Sequence, residues 1–117
     1  MIKILYVEDH PPARLLMNAI IEDLTEYQLV TAATGAAAQA LMAEQRPDLY
    51  ILDLDLPDID GVTLAKSLCK INNVPIILVS AYAEVVQTED LDTLMHYYLA
   101  KPLDPMNVAQ TIKRALA

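Results

Sequence analysis

Tyr50-Ile51-Leu52-Asp53-Leu54-Asp55-Leu56-Pro57 is an apolar run that breaks into acid. Leu49–Leu54 is apolar at nearly every position, so it reads as a strand buried on both faces, as in a parallel sheet covered by helices. A carboxylate at the end of such a strand is costly unless something compensates it. Three other apolar runs also end in polar groups. Ile2–Val7 leads into Glu8-Asp9, Val74–Val79 into Ser80, and Tyr97–Ala100 into Lys101.

Between these runs lie segments of helical period. Pro11-Pro12 suits a first helical turn, where no backbone donor is needed, and Leu15, Leu16, Ala19, Ile20 and Leu24 give that helix an apolar stripe. Gln28–Ala33 reads as a second strand. Gly35 supplies a turn, and the Ala-rich stretch Ala36–Gln45 reads as a helix closed off by Pro47. Gly61 precedes a third helix, Val62–Lys70. Ala83–Met95 has weaker helical character, diluted by Thr88, Asp90, Asp92 and Thr93. Asp104 and Pro105 open a last helix, Met106–Leu116.

A strand–helix unit repeated five times predicts a parallel sheet with right-handed crossovers and helices on both faces. The 117 residues allow one domain, 1–117, and are too few for an eight-fold barrel. The 55% hydrophobic content argues against disorder. No apolar stretch approaches the ~18 residues of a membrane span, and the N-terminal apolar run is too short for a secretory signal. A cytoplasmic location is the expectation. The net charge of −8 disfavours direct binding to nucleic acid or an anionic membrane. The single cysteine, Cys69, reads as a structural thiol. Asp53, Asp55, Asp58 and Asp60 crowd so closely that they suggest a cation or a loop splayed into water, with Asp58 and Asp60 capping or solvating the loop before Gly61.

In an open parallel sheet the working crevice lies outside the carboxyl ends of the strands. Glu8, Asp9, Asp53, Ser80 and Lys101 all fall there. Together with Asp53-Leu54-Asp55-Leu56-Pro57-Asp58-Ile59-Asp60-Gly61, Ser80-Ala81 and Tyr98-Leu99-Ala100-Lys101-Pro102, they make the whole chain resemble a response-regulator receiver domain of two-component signalling. The resemblance implies a flavodoxin-like doubly wound fold with strand order 2-1-3-4-5. It implies that Asp53 takes a phosphoryl group from a phosphohistidine, a step that depends on positioning and charge neutralisation more than on a base. It implies Mg2+ held by Asp9, Asp53 and the backbone carbonyl of Asp55, with Glu8 acting through water. Lys101 would pair with Asp53 at rest and with a phosphoryl oxygen afterwards, and Ser80 would bond another. Tyr98 holds the switch position, and the readout face would comprise the fourth predicted helix, the fifth strand and the fifth predicted helix. Lys101-Pro102 resembles a peptide that is often cis.

The implied partners are a sensor histidine kinase or a histidine phosphotransfer protein, a fused or separate output domain, and a second copy through the readout face. Such a chain is a signalling receiver rather than an enzyme, catalysing only its own phosphorylation and dephosphorylation. The sequence ends within the last helix without an output domain, and Met1 favours an N-terminal receiver or a full short protein. Leu94-Met95 stand where the family usually has Gly-Ala, which makes the surface entering the fifth strand greasier. Glu8 replaces the more frequent Asp. Asp55 and Tyr82 flank the site where side chains tune water access.

Other readings are weaker. A haloacid-dehalogenase-like phosphatase also starts from Asp-x-Asp after a strand, but two strand–helix units precede Asp53 here and Pro57 stands where Thr or Val is usual. A calcium loop fails because the twelfth position from Asp53 is Leu64 rather than Glu. A flavodoxin-like cofactor domain lacks a phosphate-binding loop after the first strand. A phosphorylation-independent binding module leaves the five polar residues at four strand ends unexplained.

Overall fold

The computed structural model describes residues 1–81 and 96–117. Five strands form one sheet: β1 (Lys3–Val7), β2 (Gln28–Ala32), β3 (Leu49–Asp53), β4 (Ile76–Ser80) and β5 (His96–Ala100). Their order is β2-β1-β3-β4-β5, with every neighbouring pair parallel. Four helices are described: α1 (Pro11–Leu24), α2 (Gly35–Leu41), α3 (Gly61–Ile71) and α4 (Pro105–Leu116). The helix expected at Ala83–Met95, together with Tyr82 and the Leu94-Met95 departure, lies outside the described residues.

Side chains alternate across the sheet, and the alternation builds two cores. Ile4, Tyr6, Leu49, Ile51, Ile77, Val79 and Leu99 pack with Met17, Ile20 and Ile21 of α1 and with Val108, Ile112 and Ala115 of α4. Leu5, Val7, Tyr50, Leu52, Ile76 and Leu78 face Ala38 of α2 and Leu64, Ala65 and Leu68 of α3. Each fully buried aliphatic side chain contributes roughly 1.5–3 kcal/mol. β3 and β4 are buried at every position, as the unbroken apolar run of β3 requires. Tyr50 can lie inside because its hydroxyl donates to the carbonyls of Leu68 (3.2 Å) and Asn72 (2.8 Å) at the end of α3.

The element boundaries shift where local chemistry intervenes. α2 begins at Gly35 and ends at Leu41, short of the expected Gln45. Beyond it the chain tightens into i→i+3 bonds, with the amides of Met42, Ala43 and Glu44 donating to Gln39, Ala40 and Leu41. β4 starts at Ile76 rather than Val74: the Val74 carbonyl accepts from the Cys69 thiol, and Pro75, which has no amide to donate, joins the sheet only through its carbonyl, which accepts from the Tyr50 amide at 3.1 Å. Gly35 serves close approach more than turn formation. It is buried, and a Cβ there would collide with the Ile59 side chain.

Candidate functional site

The strand register brings the polar residues together. β1, β3 and β4 are adjacent, and Ser80 lies beside Ala100 in the β4–β5 pairing. The Lys101 amide donates to the Ser80 carbonyl at 3.0 Å, which fixes the lysine's starting point at the same end of the sheet. The Lys101-Pro102 peptide is cis. Lys101 Nζ then donates to Asp53 Oδ2 at 3.1 Å and lies 3.4 Å from Glu8 Oε2. Asp53 is completely buried, and its other oxygen, Oδ1, accepts from the Asp55 amide at 3.0 Å. Ser80 is also buried.

Glu8 is fully buried as well, and its carboxylate is the most heavily used of the site. Oε2 accepts from the Tyr6 hydroxyl at 3.3 Å. Oε1 accepts from the His10 amide at 3.2 Å and lies 3.1 Å from His10 Nδ1. Burial raises the Glu8 pKa, and the neighbouring Asp53 adds to the rise. Burial also raises the Tyr6 pKa, with the Glu8 and Asp53 charges pushing the same way, so Tyr6 is a neutral donor. Burial opposes the Lys101 charge, but the Asp53 and Glu8 carboxylates outweigh it and hold Lys101 above its usual range. Arg14 of α1 anchors the rim by donating to the Glu8 carbonyl at 2.8 Å.

Glu8, Asp9, His10 and Asp53 each offer a ligand atom, and these atoms all lie within 4.8 Å of one another. Asp9 Oδ1 is buried yet accepts no hydrogen bond among the described residues. A convergent set of carboxylate oxygens with one orphaned acceptor fits a hard divalent cation such as magnesium.

The remaining acids have structural duties. Asp60 caps α3 through the Thr63 amide at 3.1 Å. Asp58 reaches across to the start of α2, accepting from the amides of Gly35 (3.0 Å) and Ala36 (3.1 Å), and these bonds lower its pKa. Asp55 is exposed at the mouth of the site. Tyr98 is half-buried against the α2–α3 core, and its buried hydroxyl has no hydrogen-bond partner among the described residues. Tyr97 is half-buried, packs on the α1–α4 core and donates to the Arg114 carbonyl at 3.4 Å. Burial raises the pKa of the Cys69 thiol, in keeping with a structural role.

His10 and Tyr6 join the site without being among the residues expected from the sequence. His10 adjoins the Glu8-Asp9 pair directly, a position that could have marked it. Tyr6 gave a readable signal too, because a phenol two residues before a buried acid shares its strand face.

Comparison with known proteins agrees with this geometry. Residues 4–113 match the family model described as the response regulator receiver domain. The chain is 33% identical to sporulation initiation phosphotransferase F of Bacillus subtilis, covering 97% of this chain and 93% of that protein. It is 35% identical to the transcriptional regulatory protein KdpE of Mycobacterium tuberculosis over 85% of this chain but only 44% of that protein. It thus spans about half the length of such transcriptional regulators. A CheY-like receiver domain protein from Methanospirillum hungatei superposes with a TM-score of 0.89 at 25% identity, covering 99% of this chain and 94% of that one. The receiver domain of sensor histidine kinase PA1611 from Pseudomonas aeruginosa, solved with magnesium in its active-site cleft, gives 0.83 at 28% identity, with coverage of 97% and 96%. The sheet order, the buried carboxylates at its strand ends and these matches make one statement: the chain belongs to the response regulator receiver domain family of two-component signalling.

Proposed function

We propose that Asp53 is the phosphoacceptor, taking a phosphoryl group from a phosphohistidine of a sensor kinase or phosphotransfer protein. The observation that carries this reading is the fully buried Asp53 carboxylate held 3.1 Å from Lys101 Nζ beside two further acids. A carboxylate oxygen of Asp53 attacks phosphorus, the P–N bond to the donor imidazole breaks, and an acyl phosphate forms. Lys101 neutralises the incoming oxygens, and the Ser80 hydroxyl bonds one of them. Asp9, Asp53 and the Asp55 backbone carbonyl would hold magnesium, with Glu8 contributing through water. When bound, that ion supplies positive charge to the oxygens of the transferring group.

The domain reading of 1–117 as one receiver is supported by the family match over most of the chain. A phosphohistidine donor is charged from a nucleotide inside the cell, which supports a cytoplasmic reading. No helix of the described residues is long and apolar enough to cross a membrane. A recess lined by Ala13, Leu16, Lys101, Pro102 and Leu103 opens beside the Lys101 side chain, which supports an approach of the phosphodonor from this side. The output passes through Tyr98 and the face around β5 and α4 to a fused or separate output domain or to a second copy. The chain acts as a signalling receiver whose only catalysis is its own phosphorylation and dephosphorylation.

Acetyl phosphate tests the acceptor. Intact mass should rise by one phosphoryl group with magnesium present and stay unchanged with a chelator. Asp53→Asn should abolish the rise. Labelling of that variant at the normal rate would place the nucleophile elsewhere.

A further inference from the structure

His10 is the feature of the site that the phosphoacceptor reading leaves unused. Its ring sits over the carboxylates while its side chain remains 70% exposed. Nδ1 lies 3.1 Å from Glu8 Oε1 and 3.2 Å from Asp9 Oδ1. Adjacent ligands on one octahedral ion with bonds of about 2.1 Å stand about 3.0 Å apart. Nδ1 and Asp9 Oδ1 are therefore close to one octahedral edge apart. They make no hydrogen bond to each other and pair as ions only when the ring is protonated, so a neutral ring with its proton on Nε2 leaves two lone pairs facing the same space. The backbone holds the ring near this position, since the His10 amide donates to Glu8 Oε1 at 3.2 Å and its carbonyl accepts from the Arg14 amide at 3.1 Å.

We propose that His10 Nδ1 is a nitrogen ligand of the cation site, so that the site favours late first-row divalent ions over magnesium more than its oxygens alone would. The proposal rests on the reading of Asp9 and Asp53 as holding a divalent cation. Magnesium prefers oxygen, whereas imidazole suits ions such as Co2+ and Ni2+. Coordination uses the tautomer with its proton on Nε2, and the exposed ring leaves that proton water to bond. Phosphoryl uptake in this receiver then depends on which divalent ion occupies the site.

Calorimetric titration with Mg2+ and, separately, with Co2+ tests this on the wild type, His10→Gln and Asp9→Asn. The Co2+ to Mg2+ affinity ratio should fall about tenfold or more in His10→Gln, and Asp9→Asn should lose both ions. In the Co2+ form, proton NMR should show a strongly shifted exchangeable imidazole resonance. The chain has two histidines, so the resonance should vanish in His10→Gln and survive in His96→Gln. Normal Mg2+ binding with an unchanged ratio and no His10-dependent resonance would overturn the ligand role while leaving the receiver reading intact. Failure of the wild type to bind either ion at millimolar concentration would overturn both.

Discussion

Lys101 Nζ stands 3.1 Å from Asp53 Oδ2 across 48 residues of sequence, and the same amine lies 3.4 Å from Glu8 Oε2. One cation thus serves two fully buried carboxylates. Lys101→Met should cost roughly 3 kcal/mol at pH 7, because it strands acids that burial has desolvated. Burial and Asp53 raise the Glu8 pKa, so acidification through that raised value protonates Glu8 and relieves part of the penalty. Urea unfolding at pH 7 and pH 4 should show the gap between variant and wild type shrinking at the lower pH. An equal gap at both would separate Lys101 from Glu8.

A divalent cation offers the same acids an alternative partner. Magnesium at about a hundred times its dissociation constant should stabilise the wild type by about 2.7 kcal/mol. Thermal melts against sodium at matched ionic strength should show a rise in Tm, and Asp9→Asn should show none. A rise that survives in Asp9→Asn would place the ion elsewhere.

Asp58 joins the loop after β3 to the start of α2 through the Gly35 and Ala36 amides. These bonds hold its pKa below 3.8, so its contribution is fully present above that value and is lost as pH falls through the lowered one. Asp58→Asn should therefore be less stable than wild type at neutral pH and converge with it in strong acid, as followed by circular dichroism. Parallel curves down to pH 2 would count against the cap.

Gly61 lets α3 start directly against the end of β3. A Cβ there would stand 2.6 Å from the Leu54 Cα and 3.1 Å from the Asp53 carbonyl oxygen. Gly61→Ala should cost about 2 kcal/mol despite alanine's gain of about 1 kcal/mol in helix propensity. It should also slow acetyl phosphate labelling, because the strain falls on the backbone of Asp53 and Leu54. A variant as stable as wild type would show that this approach can relax.

Tyr98 is half-buried, and its buried hydroxyl has no hydrogen-bond partner among the described residues, so among these it has something to gain by moving. Beryllofluoride, a phosphoryl mimic, should shift the Tyr98 ring resonances in NMR spectra of selectively labelled protein. Unchanged resonances under saturating mimic would remove Tyr98 from the switch.

The amino-acid sequence alone determined the alternation of strands and helices, the parallel sheet and the identity of the acids at its strand ends. It could do so because an unbroken apolar strand such as Leu49–Leu54 can be satisfied only between two helical layers, and a carboxylate at its end stands out against that background. Asp9, Asp53, Ser80 and Lys101 were legible for the same reason. Only the tertiary structure decided how those groups are shared. The gathering of Tyr6, His10 and Lys101 around Glu8, the reach of Asp58 to α2 and the seat of Tyr97 on the α1–α4 core depend on close contacts between side chains and distant backbone. Local periodicity records which face a residue takes. It does not record which polar atom a rotamer will meet once the loops have closed.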